Sequence, residues 1–558
     1  MDNEQRNQAP IYEMLEHYRV KGNISYHVPG HKNGVAYDIF GGAGFLDEIM
    51  KVDVTEITDT DDLHHPEGVI REAQELAADC FGAEESFLLV SGSTAGNLAL
   101  ILTVCPEPGM ILIVQRNVHK SVIHGLMLAG VHAVFLEPLI DPASGLAVAP
   151  AAEDVQAALA AYPDAAGVLV TMPNYYGMGS ELAPLAQACH ASGVPLLVDE
   201  AHGAHYSQHP ALPAGALAQG ADGVVQSTHK MLPALTMGAM LHVQGPRLDR
   251  ALLRQRLAMV QSSSPSYPVM ASLDLARRLV HSRGAGAFTA GLAAVDVLKR
   301  GLARLPRYGL LQPAVPLQRS SGGGAAPAGK GAPPQRGAAY LTQDPFKAVI
   351  YDAAGVLSGF ELHSRLEEKG CVPEMSDDRH VVLLFSLGSR AEEAAALVEA
   401  LREIDAETRA ESPGTQHSSH SLSTLQSLDS LSTQHSPNSL KFHSSPQALS
   451  SVQSSGSPQS TYSNNSTWNN LQAKIPRPVP FTMKPVDSAS TESIPLADSI
   501  GRMAAEMVIP YPPGIPLLYP GEVITAQTGA RLLDLSQGGA KFQACSDPGL
   551  QRIKVYNI

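Results

Sequence analysis

The chain has 558 residues, 44% hydrophobic and 17% charged, which is enough for two or three domains with proper cores. Its 39 Lys and Arg against 54 Asp and Glu leave a net charge of −15 with no basic stripe, which argues against a nucleic-acid partner. The five cysteines are scattered without CxxC spacing, no metal-ligand pattern stands out, no apolar run has the length of a membrane span, and the polar N-terminus carries no signal peptide. A reduced, cytoplasmic setting is the expectation.

Residues 1–83 read as an N-terminal arm with a Pro/Gly loop, SYHVPGHKNG (25–34), and a helical segment, PEGVIREAQELAADCFGA (66–83). Over 84–314 apolar runs alternate with helical patterns: SFLLVSG then STAGNLALILTVC, MILIVQ then HKSVIHGLMLAG. AGVLVTMPNYYG, VPLLVDEAH, GVVQSTHK and GAMLHV complete the series. Continuous apolar strands separated by helices predict an α/β domain with a mainly parallel sheet covered on both faces. Ligands of such sheets sit at the carboxyl ends of the strands, where this chain collects its polar residues.

Residues 315–337 are Gly/Ala/Pro-rich and predict a flexible insertion. Residues 338–408 open a smaller α+β C-terminal domain, 409–472 form a Ser/Gln-rich tract expected to be disordered, and 473–558 return to folded composition. IPYPPGIPLLYPGE (509–522) is expected to be rigid and extended.

The segment DGVVQSTHKMLPALTMGAMLH (222–242) places Lys230 between two apolar stretches, just after a predicted strand. A lysine there can form a Schiff base with an aldehyde, and pyridoxal 5'-phosphate is the common cofactor of that kind. Such a cofactor needs further parts. Its phosphate needs amides and hydroxyls at a helix start, which Gly92, Ser93 and Thr94 can supply, with Ser227 and His229 adding donors. Its pyridine nitrogen needs a carboxylate, and Asp199 ends a predicted strand, where it can equally be a helix N-cap. Ala201 is small enough to lie under a ring, His119 is the planar candidate for the other face, and Asn174 and Tyr175 end another strand. Each signal is weak alone; their joint occurrence at strand ends is what points to one site.

The segments HVPGHKNG (27–34), DVTEITDTDDLHHPEGVIREAQ (53–74), FLLVSGSTAGNLALI (87–101), QRNVHKSVIHGLMLAG (115–130), VDEAHGAH (198–205), STHKMLPALTMGAMLH (227–242), SSSPSYPVMASLD (262–274) and VIPYPPGIPLLYPGE (508–522) resemble the Orn/Lys/Arg decarboxylase family. That resemblance implies the pyridoxal-phosphate-dependent transferase fold type I, in a short form without the N-terminal wing domain of the large inducible members. It implies Lys230 as the Schiff-base lysine, Asp199 at the pyridinium nitrogen and His119 stacked on the ring. It places Ser93, Thr94, Ser227 and His229 around the phosphate, and Ala201 and His202 on the cofactor. It also implies a homodimer or higher homo-oligomer with the active site at the interface, where residues 262–267 can reach a neighbour's cofactor.

The implied reaction is decarboxylation of a small cationic amino acid, with a proton returned to Cα through His229 or Lys230. Arginine to agmatine is favoured, then lysine to cadaverine or ornithine to putrescine, in polyamine metabolism. Asp53, Glu56, Asp59, Asp61, Asp62 and Glu522 are candidates for the substrate's distal cation; the first five can equally be a solvated loop. The competing readings are another fold-type-I reaction such as transamination, a catalytically silent paralogue, and a scaffold built on the Ser-rich tract.

Overall fold

The computed structural model describes residues 1–313, 339–411, 476–511 and 514–557. The Gly/Ala/Pro insertion and the Ser/Gln tract, apart from residues 409–411, lie outside the described residues. Two units separate by compactness: residues 1–406 with 475–558, and residues 407–474, of which only the last turn of the helix Ala391–Glu411 is described. No described helix is long and apolar enough to cross a membrane.

An eight-stranded sheet organises the first unit. Its order is Glu85–Leu89, Ala239–Val243, Gly223–Gln226, Leu196–Asp199, Val168–Thr171, Ile111–Gln115, His132–Leu136 and Val479–Pro480. The five strands from Gly223–Gln226 to His132–Leu136 pair in parallel. Ala239–Val243 runs against both its neighbours, so Glu85–Leu89 again points the same way as the parallel set. The sheet is therefore mixed but mostly parallel.

Period-two alternation divides these apolar strands between two cores. Leu112, Val114, Leu169, Leu197 and Val225 pack with Leu100, Ile101, Val122 and Leu126 from helices Gly92–Val104 and Lys120–Ala129. Ile113, Val168, Val170, Leu196 and Val198 face Val155, Leu159, Leu185 and Cys189 from helices Ala152–Ala161 and Ala183–Ala191. Both faces are covered, which is why these strands carry apolar residues at nearly every position.

A second, antiparallel sheet runs in the order Met375–Ser376, His380–Leu384, Lys347–Asp352, Tyr308–Leu310. Phe346, Ile350, Leu362, Leu401 and Leu298 share one core with Met231 and Leu232, just beyond the site lysine, so this sheet is anchored at the site. Residues 476–557 have a core of their own, including Leu496, Val508, Leu518, Leu532, Phe542 and Ile553. Tyr519 fastens this last part to the large sheet by stacking on Phe135, with ring centroids 4.9 Å apart. The Pro-rich turn is thereby brought to the strand ends: the Gly514 carbonyl accepts from the Lys120 N–H at 3.3 Å.

Candidate active site

The strands Glu85–Leu89, Ile111–Gln115, Val168–Thr171, Leu196–Asp199 and Gly223–Gln226 send their carboxyl-end loops to one edge. Those loops carry Ser93, His119, Tyr175, Asp199, His202 and Lys230. After Gln226 the chain makes one helical turn, Thr228–Met231, and Lys230 extends from it. Its Nζ lies 3.2 Å from His202 Nε2 and 5.8 Å from the centre of the Tyr175 ring. Burial lowers the pKa of this amine, while Asp199 and Glu374 pull it back up.

Asp199 is 2% exposed and pairs with no lysine or arginine among the described residues. It accepts hydrogen bonds from Asn97 Nδ2 at 2.9 Å and from the Ala201 N–H at 3.2 Å. No helix follows it, so it is not a helix N-cap. Burial drives its pKa upward against those two bonds and the Lys230 charge. Asn97 also donates to Ser121 Oγ at 3.0 Å. The Ser121 hydroxyl, 2.9 Å from His119 Nδ1, and the Ser121 N–H, at 3.2 Å, both meet that nitrogen. The backbone donor makes Nδ1 an acceptor, which leaves the neutral ring's hydrogen on Nε2. Burial, helped by the Lys230 and Lys120 charges, lowers the His119 pKa to about 4, so the ring is neutral near pH 7.

A positive φ of 75° at Gly92 turns the chain from strand into helix. Its N–H is spent on the Met237 carbonyl at 2.9 Å, which corrects the expectation that Gly92 offers an amide to a phosphate. The hydroxyls of Ser93 and Ser227 meet at 2.8 Å, and no side chain caps the helix Gly92–Val104. The first-turn amides of a helix lack partners within it, so Ser93 and Thr94 keep that anion-binding character. His229 turns the other way and donates from Nδ1 to the Gly238 carbonyl at 2.9 Å. Ala201 and His202 are buried beside Asp199, 8% and 5% exposed.

The acidic candidates scatter. Asp61 accepts the N–H groups of Glu67, Gly68 and Ile70 and so caps the helix Val69–Phe81. Asp62 accepts the His64 N–H at 2.7 Å, and Asp53 lies 3.2 Å from His31 Nε2. Glu522 is held by Arg116 at 2.5 and 2.9 Å. The fold also brings Glu374, which accepts from Tyr175 OH at 2.8 Å, and Lys347, whose Nζ lies 3.0 Å from His202 Nδ1. Asn97, Ser121, Lys347 and Glu374 are absent from the sequence-level set. Asn97 carries one retrospective signal, an amide on the buried middle of a mainly apolar helix, and Lys347 another, a lysine opening the apolar run Ala348–Ile350.

A buried carboxylate without a cation, a neutral imidazole linked to it through Asn97 and Ser121, an uncapped helix start flanked by hydroxyls and a half-buried lysine amine together fit pyridoxal phosphate. The family model for the Orn/Lys/Arg decarboxylase major domain matches residues 9–393, and that for the C-terminal domain matches residues 477–542. The arginine decarboxylase of Halalkalibacterium halodurans is 30% identical over 551 residues, covering 98% of this chain and 97% of its own. The uncharacterized protein YaaO of Bacillus subtilis is 36% identical over 528 residues, covering 94% and 93%. The crystal structure of the lysine decarboxylase LdcF of Francisella novicida matches with a TM-score of 0.71 at 19% identity, covering 98% of this chain and 81% of that one, which speaks for the fold. With these likenesses, the chain belongs to the Orn/Lys/Arg decarboxylase family and is a pyridoxal-phosphate-dependent carboxy-lyase acting on a basic amino acid.

Proposed function

We propose that this carboxy-lyase converts arginine to agmatine, with lysine to cadaverine as the second reaction to test. The observation that carries the chemistry is the half-buried Lys230 amine at one edge of the sheet with cation-free Asp199 and neutral His119. The preference for arginine rests on the relative of that name, which aligns over nearly its whole length.

Pyridoxal phosphate supplies an electron sink for the pair left when the α-carboxylate departs. Lys230 is the residue to hold its aldehyde and, once released by the substrate amine, to return a proton to Cα. Asp199 would counter the protonated pyridine nitrogen, and that cation would relieve the upward pull of burial on its pKa. His119 would cover one ring face as a neutral imidazole, with Ala201 and His202 toward the other. Ser93, Thr94 and Ser227 would take the phosphate. His229 is the weaker proton donor, because its Nδ1–H is engaged by Gly238. Glu374, whose charge raises the pKa of both Lys230 and Lys347, is offered to the substrate's distal cation.

Purified protein with pyridoxal phosphate is to be incubated with arginine, lysine and ornithine, measuring carbon dioxide and the product amine. Arginine is expected to give the highest kcat/KM. Keto acid in place of amine favours transamination, and no product from any of the three overturns the reading. Glu374→Gln is expected to raise KM for arginine about tenfold with a smaller change in kcat, as removal of uniform binding does.

Self-association as a homodimer is supported by the N-terminal arm. Tyr26, Ile39, Phe40 and Phe45 are 91%, 82%, 79% and 86% exposed, and Ile24, Val28 and Val35 add to the same short segment. Apolar exposure on that scale marks a surface that another chain covers.

A further inference from the structure

We propose that Lys347 is a positioning residue: it holds His202 as the Nε2–H tautomer and supplies, across that ring, the proton taken up by the Lys230 amine when substrate displaces it. The inference rests on the reading of Lys230 given under Proposed function.

Lys347 is 2% exposed, and no Asp or Glu lies within ion-pair distance of its Nζ among the described residues. Its stem is clamped: a Cβ at Gly177 would sit 2.5 Å from Lys347 Cβ. The Gly177 backbone thus packs directly against the base of this side chain. Its Nζ lies 3.0 Å from His202 Nδ1 and 5.1 Å from the Tyr175 ring centre. On the far side of the same imidazole, Nε2 lies 3.2 Å from Lys230 Nζ. One ring thus bridges the buried Lys347 amine and the half-buried Lys230 amine, with Tyr175 packed against it at 4.4 Å between ring centres.

Burial and the flanking amines push the His202 pKa well below the usual value, so the ring is neutral and carries one hydrogen. An ammonium at Lys347 must donate to Nδ1, which places that hydrogen on Nε2, facing Lys230. The groups facing Lys347 come from several elements. Asp344, on its own loop, is paired with His205 at 3.0 Å; Glu374, before the strand Met375–Ser376, is held by Tyr175; Lys230 opposes from the turn after Gly223–Gln226. Burial dominates over these charges and lowers the Lys347 pKa to about 8, so the ammonium parts with its proton readily near neutrality.

The transfer balances within three side chains. A Lys347 Nζ proton passes to His202 Nδ1 as the Nε2 proton passes to the Lys230 lone pair. Lys347 ends neutral, Lys230 ends as an ammonium, and the imidazole ends as the other tautomer. No oxidant or further reactant is required.

The test uses cofactor-loaded protein. Nitrogen-15 labelling of histidine, assigned with His202→Gln, is expected to show His202 as the Nε2–H tautomer near pH 7. Lys347→Met is expected to lower kcat about 100-fold, the scale of a lost acid–base contribution, with KM within about threefold. It should also raise the pKa of the cofactor's visible absorbance band by about one unit, through loss of a neighbouring positive charge. Lys347→Arg keeps the charge but not the readily released proton, so it should restore the absorbance pKa and not kcat. An Nδ1–H tautomer in the loaded wild type overturns the proposal and needs no variant. So does a Lys347→Met protein whose kcat stays within about threefold of wild type. Absence of turnover in the wild type would instead sink the reading of the reaction, while the tautomer and absorbance measurements still report on Lys347.

Discussion

Asn97 joins two groups that sequence reasoning treated separately. Through its amide nitrogen it donates to Asp199, and through Ser121 it reaches His119, so the carboxylate and the imidazole are set by one hydrogen-bonded string. Asn97→Leu leaves a buried carboxylate short of a donor, a loss of about 1–3 kcal/mol where it is felt. The expected outcome is affinity for pyridoxal phosphate weakened about tenfold or more, read by absorbance titration, with the protein still folded. Lys230→Ala is expected to bind cofactor without the wild-type absorbance band, and borohydride treatment followed by peptide mass mapping should find no adduct at residue 230. An adduct elsewhere in the wild type would move the assignment away from Lys230.

Strands and helices carry further buried polar groups with consequences for pH. The Glu200 carboxylate, just past the strand Leu196–Asp199, accepts from Gln226 at 2.7 Å; Gln226 reaches His242 at 3.1 Å, and His242 reaches Ser86 at 2.7 Å. This string crosses four neighbouring strands or their ends beneath the site. Burial raises the Glu200 pKa to about 8 and lowers that of His242 to about 3. A raised folded-state pKa stabilises below the unfolded value and loses that contribution as pH rises, here between about 4.5 and 8. A lowered imidazole pKa acts oppositely: its contribution is present above about 6.5 and lost as pH falls toward 3. His119, at about 4, adds to the acid side. Glu200→Gln should therefore flatten the decline of Tm between pH 5 and 8 and leave the acid side unchanged, as measured by calorimetry. An unchanged alkaline slope would show that Glu200 is ionised in the folded protein.

The helix Tyr267–Arg283 docks the N-terminal arm in a similar way. Asp274 accepts the Ile11 N–H at 3.0 Å, and Arg277 binds the Gln8 and Arg6 carbonyls while pairing with Asp274 at 2.5 Å. Asp274→Ala leaves a buried guanidinium uncompensated, at a cost of about 3–5 kcal/mol. Early proteolytic cleavage within the first 21 residues is expected, and arm protection equal to wild type would refute the docking account.

At the level of the molecule, the arm's exposed aromatic and aliphatic side chains lead to a concentration-dependent expectation. Phe40→Asp with Phe45→Asp should shift the protein toward monomer in sedimentation velocity, and an unchanged oligomer would place the interface elsewhere. The alternation of apolar runs with helical patterns was legible in the chain, and so were the strand-end residues Lys230, Asp199, His119 and Ser93. Such signals are local: a strand buried on both faces must be apolar throughout, and the functional groups of a parallel sheet must follow its strands directly. Gly92 looked like an amide donor because its N–H partner, Met237, lies 145 positions away and comes close only when the sheet forms. Asp61 and Glu522 looked available for the same reason, since a charge gives no sign in sequence of the amides or guanidinium that will consume it. Lys347 opens a strand of the antiparallel sheet and Glu374 lies just before another, and they meet His202 and Tyr175 only when that sheet packs against the strand ends. Periodicity and short motifs decide which elements form and which residues lie at their ends; which side chains then share a buried space depends on contacts across hundreds of positions, and so emerged from the folded structure alone.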